Sequence, residues 1–308
     1  MKHFINLKDI PAKDLRKIIV DAKKRKSLRK KLNTLEVDKG APLKGKLLIQ
    51  MFEKSSLRTR LSFYLAIKQL GGGTLTLRSN ELHLGQGGES IADTAKILST
   101  YGDGFMLRTD SDKKVENFAK YLSIPVINGL SPSSHPTQVL SDVFTVEEIK
   151  KKPISKLNIC WIGDSNNVLD SLIAASVKFS FKLSIGCPKK FEPGKEVRAW
   201  VKRNNKKIYI YNDAKKAVVG ADVIFSDKVI SLNDKVNKIK KKQAFKNFKI
   251  DKELMKFSNS AIFLHCLPRG DEVSEDVFLG KKSHVWQQAL NRGHVQKSIL
   301  LYCFGRLR

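Results

Sequence analysis

The chain alternates short apolar runs with polar turns and amphipathic stretches, and this order is what most constrains its fold. Leu47–Phe52 predicts a buried strand, and Thr59–Leu70 predicts a helix that ends at three glycines. The same alternation predicts strands at 74–77, 104–108 and 125–128 and helices at 90–101 and 113–122, with Ser90 as an N-cap. Alternating strands and helices favour a parallel sheet with helices on both faces.

The second half repeats this scheme after a predicted linking helix that starts at Pro136. Its predicted strands are 157–162, 182–186, 223–226 and 261–265, and its predicted helices are 167–179, 196–204 and 287–304. We therefore predict an α/β fold of two doubly wound parallel-sheet domains, 1–135 and 136–286, joined by linking helices. The C-terminal helix, 287–308, is expected to pack back onto the first domain.

The first predicted helix follows Pro11, which we place at the first helical position with Asp9 as a nearby cap. The four cysteines are far apart and form no Cys-x-x-Cys pair, which argues against a zinc site or a disulfide framework. No apolar run is long enough to span a membrane, and the N-terminus lacks the apolar stretch of a signal peptide. A cytoplasmic location is the expectation.

The charge balance is strongly basic, with 58 Lys and Arg against 30 Asp and Glu and a formal net charge of +28. Nucleic-acid binding, long-range attraction of anionic substrates, and plain lysine enrichment of the surface all produce such a balance. The lysines are spread along most of the chain and no nucleic-acid-binding motif accompanies them, which favours surface enrichment. The densest stretch, Lys235–Lys249, predicts a loop with Phe245 and Phe248 as buried anchors.

The segment Ser56–Arg60 follows a predicted strand and opens a predicted helix. Helix N-termini offer N–H groups and a partial positive charge to an anion, and hydroxyls of Ser56 and Thr59 add donors. The Arg58 guanidinium suits phosphate oxygens, and it has to supply most of the affinity because the helix dipole contributes only about 0.3–1 kcal/mol. The segment predicts an anion site.

Motifs in the same order along almost the whole chain resemble the aspartate/ornithine carbamoyltransferase family. The resemblance starts at Phe-Glu-Lys-x-Ser-x-Arg-Thr-Arg and continues through His83-Leu84-Gly85, Gly88–Ala95, His135-Pro136-Thr137-Gln138, Gly163–Asn167, Asp227–Leu232, His265–Gly270 and Asn291-Arg292. Cys266 and the Asp-x-x-x-Ser element point to the ornithine branch. That branch implies transfer of the carbamoyl group of carbamoyl phosphate to the side-chain amine of L-ornithine. The products are L-citrulline, for arginine biosynthesis, and phosphate.

The resemblance implies that domain 1–135 binds carbamoyl phosphate, with some contacts supplied by residues later in the chain. The implied contacts are Ser56, the backbone N–H of Leu57, Arg58, Thr59, His83, Arg108, His135, Gln138, Cys266, Leu267 and Arg292. His135 is expected to act as a neutral hydrogen-bond donor to the carbonyl oxygen, and Gln138 to hold the carbamoyl nitrogen. The implied catalytic residues are Arg108, His135, Cys266 and Arg292.

At the amine end, the resemblance implies that Asn167, Asp227, Ser231 and Leu232 bind ornithine in the second domain. Cys266 would lie near the side-chain amine and help take its proton. The carbonyls of Cys266 and Leu267 would accept bonds from the carbamoyl NH₂, a geometry expected to need a cis bond between Leu267 and Pro268.

His83 is implied to reach a neighbouring subunit, so a homotrimer with shared active sites is expected. The resemblance implies neither a metal nor an organic cofactor, and the expected partners are the two small-molecule substrates, with no membrane and no specific nucleic acid.

Several positions depart from the family pattern, mainly beside the amino-acid end: Lys228, Val229 and Leu232 stand where Thr, Trp and Met are usual. Two alternatives stay open, the first because of these departures and the second because of the strongly basic charge. One is carbamoyl transfer to another amine, such as putrescine or a modified ornithine. The other is a basic nucleic-acid-binding protein on the same scaffold.

Overall fold

The structure is a computed structural model that describes residues 1–78, 88–204, 207–230, 237–258 and 260–307. The chain divides into two compact units. Unit 1 contains residues 1–144 and the C-terminal residues from 290 onward, and unit 2 contains residues 145–289. The domain boundaries predicted at 135/136 and 286/287 lie shortly before these two divisions.

Unit 1 is built on a parallel sheet whose described strands follow the order β2-β1-β3-β4. The strands are β1 (Leu47–Phe52), β2 (Gly73–Arg78), β3 (Gly104–Arg108) and β4 (Val126–Leu130), and the helices are α1 (Ala12–Leu28), α2 (Leu57–Gln69), α3 (Ile91–Tyr101) and α4 (Asp112–Tyr121). The chain order reverses between β1 and β3. Because parallel crossovers are right-handed, this reversal puts α2 on one face of the sheet and α3 and α4 on the other.

Unit 2 repeats this architecture with the described strand order β7-β6-β5-β8-β9, again parallel. After α5 (Pro136–Lys150), the strands are β5 (Asn158–Ile162), β6 (Lys182–Gly186), β7 (Ile208–Tyr211), β8 (Val223–Ser226) and β9 (Ile262–His265). The helices are α6 (Asn167–Phe179), α7 (Lys195–Asn204), α8 (Ala214–Val218), α9 (Lys238–Ala244), α10 (Lys252–Lys256) and α11 (Glu275–Phe278). The last helix, α12 (Val285–Cys303), begins in unit 2 and continues into unit 1 from residue 290. The chain order reverses between β5 and β8. The predicted α/β fold with doubly wound sheets is confirmed.

Buried apolar side chains explain why these strands form where the apolar runs predict them. In unit 1, Ile49 and Met51 of β1 pack with Phe105 of β3, and the Phe105 ring lies 4.9 Å from that of Phe118 on α4. At the end of α2, Gly71 adopts a φ of +87°, which the predicted glycine stop allows at little cost. This packed core holds the strands in place and so determines where the loops after their carboxyl ends begin.

Two local predictions were wrong. Asp9 does not cap α1, because it lies in the 3-10 helix Leu7–Asp9, and Pro11 is the N-cap residue rather than the first helical residue. The described part of the lysine-rich stretch, 237–249, is not a loop, because Asn237 caps α9 with its side-chain oxygen and a 3-10 helix, Lys246–Phe248, follows. The two phenylalanine anchors are confirmed, since Phe245 and Phe248 are both buried.

Candidate active site

The start of α2, which follows β1 in unit 1, carries the first group of predicted site residues. Ser56 is the N-cap residue, and its Oγ accepts a 3.3 Å hydrogen bond from the Thr59 N–H. This bond uses the oxygen of the Ser56 hydroxyl and not its proton. The Leu57 side chain is 72% exposed, so only its backbone takes part in the helix start. The α2 N-terminus therefore combines helix N–H groups with a hydroxyl donor.

A chain of buried hydrogen bonds fixes the side chains behind this helix start. Arg292, on α12, donates from one nitrogen to Thr59 Oγ1 at 2.8 Å and from the other to Gln138 Oε1 at 2.7 Å. Gln138 in turn donates from Nε2 to Asp142 Oδ1 at 2.8 Å. Because the two ends of the Gln138 amide have different partners, its orientation is determined. The sequence did not single out Asp142, which holds Gln138 in place.

Positive charge converges on His135, which follows β4 at the start of α5. Burial, and then the charges of Arg292, Arg108 and Arg58, lower the pKa of His135 well below its ordinary value. Burial and the charge of Arg58 lower the pKa of Arg108 to about 10, so Arg108 stays charged at neutral pH. The structure thus brings Arg58, Arg108 and Arg292 around one neutral imidazole. The repulsion among these three guanidinium groups favours the binding of an anion, because a negative charge between them reduces that repulsion.

In unit 2, Asp227 and Asn166 come together beyond β8 and β5. Asn166 Oδ1 accepts from the N–H groups of Val168 and Leu169 at 3.0 Å each, and Nδ2 donates to Asp227 Oδ2 at 2.9 Å. Burial raises the pKa of Asp227, so an ammonium group beside it would favour its charged form. Asn167 is the first residue of α6 and is half-buried. The sequence missed Asn166, although an asparagine directly before a helix is an N-cap signal.

A second group of predicted site residues in unit 2 follows β9. His265 Nδ1 accepts from the Leu267 N–H at 2.9 Å, so Nε2 carries the proton and donates to Glu272 Oε1 at 3.1 Å. Cys266 lies between His265 and Leu267 in the chain and is buried, and none of the four cysteines forms a disulfide bond. The Leu267–Pro268 peptide bond is cis, as the resemblance implies.

Glu272 is a second residue that the sequence missed. Besides His265, it accepts from the Gly270 N–H at 2.5 Å and from the Val229 N–H at 3.4 Å. Burial acts to raise the pKa of Glu272, but the hydrogen bonds from His265 and Gly270 lower it below its ordinary value. One carboxylate thereby joins the loop after β9 to the chain after β8.

Three predicted site residues, His83, Ser231 and Leu232, lie outside the described residues. Within the described ranges, no group of three or more His, Cys, Asp and Glu side chains could hold a metal ion. Nor does any helix in the part of the chain that the structure describes have the length and apolarity to cross a bilayer.

Comparisons with known proteins identify the family. Residues 2–148 match the family described as "Aspartate/ornithine carbamoyltransferase, carbamoyl-P binding domain", and residues 155–303 match its "Asp/Orn binding domain". Curated relatives include an ornithine carbamoyltransferase of Agrobacterium fabrum, 40% identical over 307 residues that cover 99% of this chain and 98% of the relative. Another, from Brucella suis, is 42% identical over 306 residues, covering 98% and 96%.

Solved structures agree with this assignment. The ornithine carbamoyltransferase of Pyrococcus furiosus matches with a TM-score of 0.91 and 37% identity, covering 99% of this chain and 97% of its own. The anabolic ornithine carbamoyltransferase of Campylobacter jejuni matches with a TM-score of 0.88 and 35% identity over the full length of both chains. The chain therefore belongs to the aspartate/ornithine carbamoyltransferase family, a family of carbamoyl-transferring enzymes.

Proposed function

We propose that this protein transfers the carbamoyl group of carbamoyl phosphate to the side-chain amine of L-ornithine, giving L-citrulline and phosphate. The observation that carries the proposal is the convergence of three guanidinium groups on the neutral His135. A further support is the full-length similarity to ornithine carbamoyltransferases.

At the carbamoyl phosphate end, the anion neutralises the repulsion among the guanidinium groups. Arg58 and Arg108 bind phosphate oxygens, and the N–H groups at the start of α2 add donors. Thr59, whose Oγ1 already accepts from Arg292, has its hydroxyl proton to give to the phosphate. This arrangement stabilises the leaving phosphate as negative charge develops on it.

The carbonyl group is polarised by His135. Because the pKa of His135 is lowered, the imidazole is neutral at physiological pH and donates a hydrogen bond without losing a proton. Arg292 adds its positive charge near this imidazole, and Gln138, whose amide bonds to Arg292 and Asp142, holds the carbamoyl nitrogen. His135 and Arg292 bind the carbonyl oxygen more strongly as it becomes an oxyanion.

At the amine end, Asp227 pairs with the α-ammonium group of ornithine and Asn167 binds its α-carboxylate, together with Ser231 and Leu232. The amide of Asn166 holds the Asp227 carboxylate in one orientation. Cys266 lies at the end of β9 and assists proton removal from the side-chain amine. An uncharged amine is required, because an ammonium nitrogen has no lone pair to attack with.

The proposed step balances without an electron carrier. The amine lone pair forms a C–N bond to the carbonyl carbon, the bond from that carbon to the phosphate oxygen breaks, and the amine loses one proton. No atom changes its oxidation state, so the residues of the chain have only to bind, orient and move that proton.

We further propose that the enzyme acts in arginine biosynthesis in the cytoplasm and forms a homotrimer with shared active sites. Exposed apolar side chains support assembly through unit 1: Leu57, Leu61 and Tyr64 lie at helical spacing on α2, and Leu75 lies on β2 at the edge of the sheet. A second copy of the chain covering this patch would remove it from water. His83 is then the residue expected to reach the neighbouring subunit.

A substrate comparison tests the proposal. Purified protein with carbamoyl phosphate is given L-ornithine, putrescine or L-aspartate, and carbamoylated product and phosphate are both measured. We expect citrulline from ornithine and a rate that rises with pH as the side-chain amine loses its proton. No citrulline at any pH from neutral to alkaline contradicts the proposal, and faster carbamoylation of putrescine assigns the enzyme to another amine.

A further inference from the structure

Lys241 differs from every other described lysine of the lysine-rich stretch because it is buried. It is 3% exposed, whereas Lys238, Lys240 and Lys242 on the same helix are exposed. Its Nζ lies 2.5 Å from Asp164 Oδ2 and 5.8 Å from the centroid of the Phe191 ring. An ammonium group removed from water is stable only when it is paired in this way, so the position of Lys241 is specified by Asp164.

Asp164 belongs to the loop that follows β5, and this loop also carries Asn166. Its backbone carbonyl accepts a 3.2 Å bond from Trp161 Nε1, so both its backbone and its carboxylate are held. Two residues later, Asn166 donates to Asp227. The acidic partner of Lys241 therefore lies on the same short loop as Asn166, which orients the Asp227 carboxylate.

The other end of α9 is held by aromatic packing rather than by charge. The Phe245 ring lies 4.9 Å from Phe191 and 6.1 Å from Phe248. With Lys241 on Asp164 and Phe245 on Phe191, α9 is attached to the loops after β5 and β6. α9 also follows Asp227 closely in the sequence, since the helix begins at Lys238.

We propose that Lys241 is a positioning residue for the amino-acid substrate, acting through Asp164 on the loop that holds Asn166 and Asp227. The inference rests on the proposed function, because it assumes that Asp227 binds ornithine. Lys241 touches neither substrate. Its loss therefore weakens ornithine binding while leaving the unit 1 cluster of arginines unchanged.

The test compares Lys241→Met with Lys242→Met, which is the same substitution at the next residue. The Lys242 ammonium lies 2.6 Å from the Asp271 carboxylate, but both side chains are well exposed, and such a pair contributes little. We expect Lys241→Met to raise the KM for ornithine about tenfold or more, with the KM for carbamoyl phosphate within about twofold of wild type. Lys242→Met is expected to leave both KM values unchanged.

Further variants separate positioning from simple loss of folding. Lys241→Arg keeps the charge and is expected to restore an ornithine KM near that of wild type. If the ion pair acts as a unit, Asp164→Asn combined with Lys241→Met raises the ornithine KM no more than Lys241→Met alone. Calorimetric binding of carbamoyl phosphate without ornithine reports on folding. If Lys241→Met fails to bind it, the KM comparison is made on Asp164→Asn.

Equal increases in both KM values, an unchanged ornithine KM, or the same effect from Lys242→Met would overturn the inference. A wild-type protein that makes no citrulline instead refutes the proposed function itself. A wild-type protein that is active, with a Lys241→Met variant that has a normal ornithine KM, refutes only the role of Lys241.

Discussion

The two units share an architecture but carry opposite electrostatics beyond their strands. In unit 1, the residues that converge on His135 are cationic: Arg58, Arg108 and Arg292. In unit 2, the cluster is built from the carboxylates Asp227 and Glu272 with amide and imidazole partners. The same parallel-sheet edge can therefore serve an anion or an ammonium group, depending on the side chains that follow the strands. This contrast is what the proposed function requires, with the anionic substrate in unit 1 and the ammonium-bearing substrate in unit 2.

The largest effect is expected from removing a charge on the cationic side. Arg58→Ala should lower kcat/KM on the order of 10³-fold by abolishing carbamoyl phosphate binding, since the guanidinium supplies charge that the helix dipole cannot replace. Titration calorimetry with carbamoyl phosphate measures the loss, and circular dichroism shows whether the fold persists. Arg60→Ala, which removes an exposed arginine of the same helix, serves as the control. Retained turnover in Arg58→Ala would break the comparison on its cationic side.

Removing the charge of Asp227 in the unit 2 cluster is expected to have a smaller effect on catalysis than Arg58→Ala. Asp227→Asn keeps a side chain of the same shape but removes the charge that pairs with an ammonium group. We expect the KM for ornithine to rise about 10²-fold, in line with the loss of one charged hydrogen bond, while carbamoyl phosphate binding stays the same. Steady-state kinetics with each substrate varied in turn measures both values. If the carbamoyl phosphate KM rose as much as the ornithine KM, the two clusters would not act on separate substrates.

Glu272 allows a test of stability on the acidic side. Its folded pKa lies below the ordinary value, so its charged form stabilises the fold above that ordinary value, and the contribution is lost as pH falls through the folded pKa. Glu272→Gln is expected to lower the free energy of unfolding by about 1–3 kcal/mol near neutral pH, with a smaller difference in acid. Urea denaturation at about pH 7 and about pH 4 measures it. A difference that does not shrink in acid would contradict the charge-based explanation.

The smallest expected effect is a change in the pKa of His135 when one of the arginines around it is replaced. Arg292→Gln removes one positive charge near His135, so the pKa of His135 should rise, yet stay below its ordinary value because burial remains the largest cause. NMR titration of the imidazole signals between about pH 5 and 8 follows this. A wild-type His135 that titrates at the ordinary histidine value would show that the three arginines do not converge on it.

Sequence reasoning located the strands and long helices well because their cores are continuous. The predicted bounds of β1, β3, α6, β6 and β8 match the structure residue for residue, since each is a compact apolar segment between polar turns. β7 was missed because Ile208–Tyr211 is a short edge strand that is only partly buried. α9 was missed because it is almost entirely polar and depends on Lys241 and Phe245 for its contacts with the rest of unit 2.

At the candidate site, the positions of motif residues were predictable and their supporting residues were not. Ser90 as a cap and the cis Leu267–Pro268 bond are both confirmed. Asp142 and Glu272 were missed because a buried carboxylate looks like any surface acid until its partners are known. For Glu272, one partner, Val229, is distant in the sequence. The catalytic and binding roles of the predicted site residues stay predictions until the variants above are measured.

The two hydrogen-bonding roles of Asn166 limit which amino acids can replace it. Most N-cap positions tolerate exchange among serine, threonine and aspartate, because each offers an oxygen to the first turn. Asn166 also has to give a proton to Asp227 from the other end of the same side chain. Of the usual capping residues, asparagine alone carries an amide donor beside its oxygen. Saturation mutagenesis should therefore tolerate few residues at this position, and aspartate should fail there because it keeps the cap of α6 but has no proton to donate to Asp227.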